Sequence, residues 1–354
     1  MRDVIGQRRL LERLGAQALR GDVAQGYELS GPRSIGKHTV ALRLAQTLNC
    51  TAEPRVNGGC GLCLSCRKIE HGTHPDVITV ARLIDQVEQR GKKQGQAKGD
   101  SKLISIEQIR DMRMDLALRP LEGRRRIVII DDAAELSEQA EVALLKTLEE
   151  PPAHAVLILV TPTPSRLLET IRSRIQPLPL HLVARAEIEA GLVGRFGPSA
   201  ARLAAVAAGR PGVAIRLATD EAARGSRSAL ENEFYTLVSS RLTERFAWAA
   251  DLAESQRDTQ KRNEEIELRL VEWGELLRDA AVMAVGAPER ASRPEQAERT
   301  KRLAAGVPVR ELVDIAQSFE RWRRDVVETT VSARMLLELL ALKLPYRVDV
   351  ANAS

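Results

Sequence analysis

Two short stretches of the chain contain residue types that bind ligands. The first is SGPRSIGKHTV at residues 30–40, where Gly31, Gly36 and Lys37 have the spacing of a phosphate-binding loop. Such a loop points its backbone N–H groups at phosphates, and its lysine adds a charge for the outer phosphates. The next residue should offer a hydroxyl to Mg²⁺, but here it is His38, and an imidazole suits this hard cation poorly. The sequence therefore predicts a phosphate cradle with a damaged metal site.

The strand that should face this loop is RRIVIIDD at residues 125–132. Its continuous apolar run is typical of a strand buried on both faces, and Asp131 at its end is placed to reach Mg²⁺. Asp132 follows where an efficient ATPase commonly has Glu, and the shorter side chain would misplace the attacking water. Thr39 stands one position too late to replace His38 and faces another direction on the helix, although it stays a candidate for the degenerate nucleotide site. Two departures in one site predict weak or absent ATP hydrolysis.

The second stretch contains all four cysteines of the chain. They are Cys50, Cys60, Cys63 and Cys66. Four thiolates at this spacing can close a tetrahedron around Zn²⁺ and leave no position for water, so the predicted zinc site is structural and not catalytic. Four unrelated thiols are the alternative, which the clustering disfavours. His71 and His74 could be ligands instead, but with four cysteines available we interpret them as ordinary surface or core residues.

The elements that must position these residues alternate between strands and helices in the first half of the chain. Predicted strands cover residues 26–31, 75–80, 125–132 and 155–161, and a helix covers 38–49. Strands separated by helices imply a parallel sheet with helices on both sides, which is an α/β fold. From about residue 180 the strand signal stops, and the rest of the chain has helical periodicity.

Helices dominate the second half. Long amphipathic helices are predicted at residues 263–285 and 309–330, and a more apolar helix at 332–344 is expected to be buried or at an interface. We predict three parts: an α/β domain at 1–180, a small helical domain at 181–222 and an all-helical domain at 223–354.

Composition limits the classes of function. The net charge is +5, with 48 acidic residues among 53 basic ones, so a polyanionic partner is compatible but not demanded. Only 3% of residues are aromatic, which disfavours stacking on single-stranded bases. The chain has no long apolar run and no secretory signal pattern at its start, so we expect a cytoplasmic protein. Residues 89–102 are rich in Gly, Gln and Lys and predict a solvated loop, with a basic finger toward DNA as the alternative.

A longer stretch is more specific. LEGRRRIVIIDDAAELSEQAEVALLKTLEEPPAHAVLILVT, followed by LLETIRSRIQPLPL, resembles the clamp-loader branch of the AAA+ ATPases. VIGQ at 4–7, GTHPDVI at 72–78, ISIEQIR at 104–110 and the cysteine quartet also fit this family. The resemblance implies an AAA+ P-loop domain with an inserted zinc module at 50–66, then a helical lid and an all-helical collar.

The resemblance also assigns residues. Thr161, which ends the LILVT strand, falls at the sensor-1 position, and Arg174 falls where the family has an arginine finger that reaches a neighbouring subunit's ATP site. The family pattern there is Ser-Arg-Cys, and this chain has Ile175 in place of the cysteine. A guanidinium offered in trans can stabilise charge on a transferring phosphate. The resemblance therefore makes Arg174 the candidate catalytic residue.

One family feature is absent from its expected position. Motor subunits present a sensor-2 arginine from the lid, and Gly212 takes that place in AAGRPGVAIRLA, with Arg210 and Arg216 at other spacings. Together with His38 and Asp132, this departure implies a subunit without productive ATP hydrolysis of its own.

The implied function is that of a stator-like subunit in the clamp loader of the bacterial replicative DNA polymerase III, at the replisome on the nucleoid. Its partners would be gamma or tau motor subunits and delta in a hetero-pentamer, and the sliding clamp is a further candidate partner. Primed DNA would be contacted through its backbone. The Mg²⁺ site is impaired, which disfavours binding of ATP or ADP. Two alternatives remain open: an active gamma- or tau-type motor ATPase, and a zinc-bearing DNA-binding module outside replication.

Overall fold

The structure is a computed structural model in which two compact units can be described separately. The described residues are 4–53, 58–82, 103–162, 164, 167–255, 259–293, 297–328 and 332–346. The first unit is Met1–Gly191 with Gly209–Gly212, and the second is Leu192–Ala208 with Val213–Ser354. The loop expected at 89–102 lies outside the described residues, and the division into three domains stays a prediction.

The first unit contains a five-stranded parallel sheet. Its strands are β1 (Gly26–Ser30), β2 (Val77–Val80), β3 (Arg126–Ile130), β4 (Ala155–Thr161) and β5 (Gln176–Pro179). They lie in the order β2-β3-β4-β1-β5, and every neighbouring pair is parallel. The predicted parallel α/β fold is confirmed.

The burial of the three central strands explains why their apolar runs could be recognised in the sequence. Every residue of β1, β3 and β4 is buried, as expected for strands covered on both faces. Strand β5 was not predicted, because Pro177 and Pro179 break the usual strand signal. It pairs with β1 alone among the described strands, and an edge strand tolerates proline because one row of its N–H groups has no ladder partner.

The helices of the first unit cover the sheet and carry the candidate residues. They are α1 (Arg8–Arg20), α2 (Lys37–Asn49), α3 (Leu64–Glu70), α4 (Ile106–Ala117), α5 (Glu138–Glu149) and α6 (Glu169–Arg172); α7 (Arg185–Phe196) leads into the second unit. A capping box formed by Ser105 and Gln108 begins α4, and the Ser137 side chain caps α5. Both helices pack on one face of the sheet, where Ile109 and Leu144 join a core with strand residues.

The described part of the second unit is helical. Its helices are α8 (Ser199–Val206), α9 (Pro211–Thr219), α10 (Glu221–Ser239), α11 (Leu242–Ser255), α12 (Thr259–Ala284), α13 (Ala297–Gly306), α14 (Val309–Glu328) and α15 (Ala333–Lys343). Trp273 is fully buried in a core that is shared by α10 to α15. Arg245 is also buried, and its guanidinium donates to four carbonyl oxygens, including Leu344 O at 2.9 Å, so it ties down the end of α15. No described helix is both long and apolar enough to cross a bilayer.

Candidate functional site

Three strand ends bring the nucleotide-site candidates to one edge of the sheet. Ser30 of β1 pairs with Thr161 of β4, so the glycine loop begins beside the sensor-1 candidate. Asp131 directly follows β3, on the other side of β4. Thr161 is fully buried between them. The carboxyl edge of a parallel sheet is where α/β folds place ligands, so the position agrees with the sequence expectation.

The glycine loop has the backbone of a phosphate cradle. Gly31 has φ +142°, and a Cβ there would lie 2.5 Å from Leu180 O, so no larger residue fits. Gly36 has φ +99° and precedes α2. The Lys37 ammonium donates to Gly31 O at 2.7 Å and Pro32 O at 2.9 Å. Burial lowers the pKa of Lys37 to about 8, although the nearby Asp132 opposes this shift.

His38 lies against the carboxylate that should serve Mg²⁺. Its Nδ1 is 3.2 Å from Asp131 Oδ2, and the two side chains are 39% and 30% exposed. The contact is an ion pair only when the imidazole is protonated. Burial tends to raise the pKa of Asp131, but His38, the Asp132 amide and Lys37 together outweigh it and hold the pKa below its usual value. Thr39, the next residue of α2, is half-buried.

A second cation approaches the second carboxylate. Arg33 Nη2 is 4.0 Å from Asp132 Oδ2. Burial raises the pKa of Asp132, and Arg33 opposes that shift. Asp132 has φ +57°, a left-handed conformation that Asp tolerates better than most residues. Sequence reasoning did not identify Arg33, because a basic residue inside a glycine loop has no distinctive spacing.

The segment that should carry a sensor-2 arginine touches the loop through its backbone. The Gly212 amide donates to Ser34 O at 2.9 Å. A Cβ at Gly212 would lie only 2.7 Å from that oxygen, so this close approach requires glycine. Ser34 itself has φ +62°. Arg210 is half-buried within the first unit, and Arg216 is an exposed residue of the second.

Arg174 follows the short helix α6 and is exposed at the surface. Its guanidinium donates to Thr170 O at 2.9 Å and to Ser173 Oγ at 3.3 Å, and it pairs with Glu149 Oε1 at 3.3 Å. The neighbouring Ile175 is 7% exposed and fills the space beside Gly26, where a Cβ would lie 2.6 Å from its Cγ2. Replacing the family's cysteine with Ile175 therefore affects the core and leaves the arginine accessible.

The four cysteines converge as predicted. Their sulfur atoms all lie within 4.8 Å of one another, and no other His, Cys, Asp or Glu of the described residues belongs to this group. A tetrahedral ion with metal–sulfur bonds of about 2.3 Å needs sulfur separations of about 3.8 Å, and Cys50 Sγ is 4.0 Å from Cys63 Sγ. Backbone amides of Cys60, Cys63 and Cys66 point at sulfurs of the cluster at 3.2–3.4 Å, as thiolates require. The donor set fits Zn²⁺.

The pKa values of the cysteines in the cluster are shifted in different directions. Burial raises the pKa of Cys50 and of Cys66. At Cys63, burial is outweighed by hydrogen bonds from Thr51 and from the Cys66 amide, which lower its pKa to about 5. Four sulfurs this close cannot all ionise without a cation, so a divalent metal would supply the missing charge.

Neither nearby histidine joins the sulfurs. His71 directly follows α3 and is exposed. His74 is 3% exposed, and its Nε2 lies 3.1 Å from Ser65 Oγ. The interpretation of both as ordinary surface or core residues fits these positions.

Comparison with known proteins shows which protein family the chain matches. The family model described as "DNA polymerase III, delta subunit" matches residues 6–183, about half of the chain. The DNA polymerase III subunit tau of Salmonella typhimurium is 37% identical over 186 residues, which are 51% of this chain and 25% of that protein. The DNA polymerase III subunit delta' of Pseudomonas aeruginosa is 33% identical over 215 residues, which are 60% of each chain.

The matches cover only part of each relative, which limits the functional conclusions that can be drawn from them. The chain spans between a quarter and three fifths of the length of these two relatives. A solved gamma subunit-related protein of Thermotoga maritima is 18% identical and covers 95% of this chain and 99% of its own, with a TM-score of 0.40. Structural similarity at this TM-score supports no conclusion about function.

Proposed function

The chain belongs to the DNA polymerase III delta-subunit family, and from this premise we propose that it is a clamp-loader subunit that does not hydrolyse ATP itself. In this role it corresponds to delta', a rigid partner of motor subunits that helps to place the sliding clamp on primed DNA. One observation carries the proposal. His38 stands where a hydroxyl should bind Mg²⁺, and it lies 3.2 Å from Asp131, the carboxylate that should share the same ion.

The chemistry of magnesium explains why this contact matters. Mg²⁺ demands oxygen ligands in near-octahedral geometry, whereas the imidazole beside Asp131 offers only ring nitrogens. Lys37 adds to the effect, because its ammonium is engaged by two carbonyls of its own loop. Binding a nucleotide would require breaking these contacts before any phosphate is bound. The cradle keeps its backbone shape and loses its metal chemistry.

The alternative is an active motor of the gamma or tau type. It is favoured by the tau subunit of Salmonella typhimurium, whose identity to this chain is 37%. A motor predicts nucleotide turnover that depends on Lys37 and is stimulated by DNA. A non-hydrolysing subunit predicts no turnover above background in the isolated chain, with or without DNA.

The isolated chain distinguishes the two functions. We expect phosphate release from radiolabelled ATP to stay at background, and Lys37→Ala to change nothing. Turnover of about one per second, in the range of ordinary catalysis, that disappears in Lys37→Ala would establish the motor instead.

Arg174 is the residue through which we propose that the chain acts on a neighbour. Its side chain is 37% exposed, and its partners lie within its own chain. The pair with Glu149 is between two partly exposed groups, and such a pair is worth at most about 1 kcal/mol. A phosphate in a neighbouring subunit's site can therefore displace Glu149 at little cost, because charge-assisted contacts to phosphate are stronger.

The assembled complex tests this role. Arg174→Ala should lower DNA-stimulated ATP turnover by the motor subunits about a thousandfold without changing assembly. Arg172→Ala is the matched control, since it removes an exposed guanidinium two residues away and should leave turnover unchanged. Equal turnover in the wild-type and Arg174→Ala complexes would exclude the finger role.

Zinc is the metal that we propose for the four cysteines. Four thiolates in closed tetrahedral geometry suit Zn²⁺ and leave no open coordination position, so the ion would be structural. Metal analysis of the purified chain should give one zinc per molecule. His71→Ala should keep that stoichiometry, because its side chain lies outside the sulfur group.

The last described helix supports a role in assembly. Leu336, Leu337 and Leu340 of α15 are buried in the second unit's own core. Met335 and Leu342 of the same helix are 59% and 54% exposed, so a second apolar strip is left for another chain. We propose that this strip contributes to a collar of clamp-loader subunits, with DNA contacted through its phosphates. Co-purification with motor and delta subunits at fixed stoichiometry tests the assembly, and Met335→Lys should weaken it.

A further inference from the structure

A loop that leads into β3 has all of its backbone amides bound by two buried side chains. The loop is residues 121–125, which follow Pro120 and end just before Arg126, the first residue of β3. Asp76 Oδ1 accepts the amide of residue 121 at 2.7 Å, and Oδ2 accepts those of 122 and 123 at 2.8 and 2.6 Å. Asn49 Oδ1 accepts the amides of 124 and 125 at 3.0 and 2.9 Å. Five consecutive amides thus depend on one carboxylate and one carboxamide.

Both acceptors are inside the protein. Asp76 is fully buried and Asn49 is 1% exposed. Burial tends to raise the pKa of Asp76, but the three amides outweigh it and keep the pKa below its usual value. Asn49 also donates from Nδ2 to Arg125 O at 2.9 Å. The packing is close enough that a Cβ at Gly123 would lie 2.8 Å from Asn49 Cγ.

A buried relay connects the two acceptors. The Asp76 amide donates to His74 Nδ1 at 3.1 Å, so the proton of the neutral ring is on Nε2. Nε2 lies 3.1 Å from Ser65 Oγ, which in turn donates to Asn49 O at 2.8 Å. The direction of every hydrogen bond is consistent, since each group donates to the next from His74 to Asn49.

Two residues of the relay are direct neighbours of cysteines in the sequence. Asn49 ends α2 immediately before Cys50, and Ser65 lies in α3 immediately before Cys66. Helix α3 has seven residues, a length that is not stable without tertiary contacts. Outside the sulfurs, α3 is held by Gln46 Nε2, which donates to Cys66 O at 2.9 Å, and by the Lys68–Glu122 pair at 2.6 Å. The sulfur cluster is a further anchor, at both Cys63 and Cys66.

We propose that the cysteine module is a metal-dependent clasp for the loop at 121–125. A divalent ion of the zinc type, held by the four thiolates, fixes α3 and places Ser65 against His74 and Asn49. The relay then keeps Asp76 and Asn49 oriented toward the loop amides. Loss of the ion frees α3 and leaves His74 buried without its Nε2 partner, and an unsatisfied buried group of this kind favours local opening. This inference does not depend on whether the chain hydrolyses ATP.

Hydrogen exchange measured by mass spectrometry on the full chain tests the clasp. With metal bound, amides 121–125 should exchange slowly, as the central amides of β4 do. Chelation should speed exchange in the loop at least about tenfold while β4 stays protected, because local opening is measured separately from global unfolding.

A point variant tests the relay without removing the metal. Ser65→Ala should keep its zinc and speed exchange at 121–125 about tenfold, since two hydrogen bonds of the relay are lost. Leu64→Ala is the matched control: it lies in the same helix, is 61% exposed, and should leave the loop unchanged.

The outcomes decide the proposal. If chelation speeds exchange everywhere, the Ser65→Ala chain decides alone, because it keeps the metal. Loop exchange that is the same in Ser65→Ala and Leu64→Ala would overturn the relay. A purified chain without metal, or a chelated chain whose loop stays protected, would overturn the dependence on the ion.

Discussion

The phosphate cradle and the cysteine cluster lie in the same unit and have opposite charge balance. In the cradle, basic side chains and carboxylates of the chain already face each other: His38 meets Asp131, and Arg33 approaches Asp132. Lys37 is engaged by carbonyl oxygens of its own loop. In the cluster, four sulfurs share a small volume and receive hydrogen bonds from backbone amides, which carry no net charge to neutralise thiolates.

A nucleotide-binding motif can therefore be present in a sequence without a working nucleotide site in the fold. The cradle matches a nucleotide-binding motif at three positions, yet its charges are largely balanced without nucleotide or magnesium. The cluster can hold four thiolates only if a cation balances their charge. Charge balance within the fold is therefore where the two regions differ.

The largest expected effect lies in the cluster. Cys66→Ser should abolish stoichiometric zinc and lower the free energy of unfolding by several kcal/mol, because structural zinc contributes about 10 kcal/mol or more to small domains. Metal analysis and urea unfolding measure both quantities. Lys37→Ala, the corresponding change in the cradle, should keep the zinc and cost much less. Comparable losses in the two variants would contradict the comparison.

A smaller effect is expected where the cradle touches the residue at the sensor-2 position. Gly212→Ala should destabilise the chain by about 2 kcal/mol, since its Cβ would lie 2.7 Å from Ser34 O and the backbone must shift. Gly225→Ala is the matched control, because a Cβ there meets open space within α10 and should stabilise the helix by up to about 1 kcal/mol. Urea unfolding that shows the same sign for both would refute the close contact.

The last expected effect is a pH dependence from Lys37, which is small for each pH unit. Its pKa is about 8 in the folded chain, below its usual value of 10.5, so burial of the charged form destabilises the fold fully below pH 8. Between pH 8 and 10.5 the unfolded chain binds more protons, and the stability contribution of Lys37 rises with pH by about 1 kcal/mol per unit. Urea unfolding of the wild type and Lys37→Met should show their stability difference changing between pH 7.5 and 10. A constant difference would mean that Lys37 is not buried as a cation.

Local pattern predicted much of the fold. Strand β4 has the predicted bounds, because a continuous apolar run needs only burial on both faces to become a strand. Strand β5 escaped prediction, because its place at the sheet edge permits two prolines that a sequence reader takes as a stop. The sulfur cluster was predictable, since ligand spacing within seventeen residues constrains the geometry strongly.

Long-range contacts were not predictable in the same way. Asn49 binds the amide of Arg125, 76 residues away, and nothing in either local sequence indicates the other. Arg33 and Asp132 approach each other for a similar reason. Such pairs depend on the order of the strands in the sheet. That order could not be inferred from the local patterns of the sequence.

The amino-acid sequence by itself determined the parallel α/β fold, the glycine loop with His38 in place of a hydroxyl, and the grouping of the four cysteines. These features follow from periodicity and spacing, which act over a few residues. Only the tertiary structure decided that His38 faces Asp131 and that Gly212 reaches Ser34. It also decided that Asp76 and Asn49 hold the loop before β3. Those contacts join segments that are distant along the chain, and they form only after the sheet has placed β3, β4 and β1 side by side.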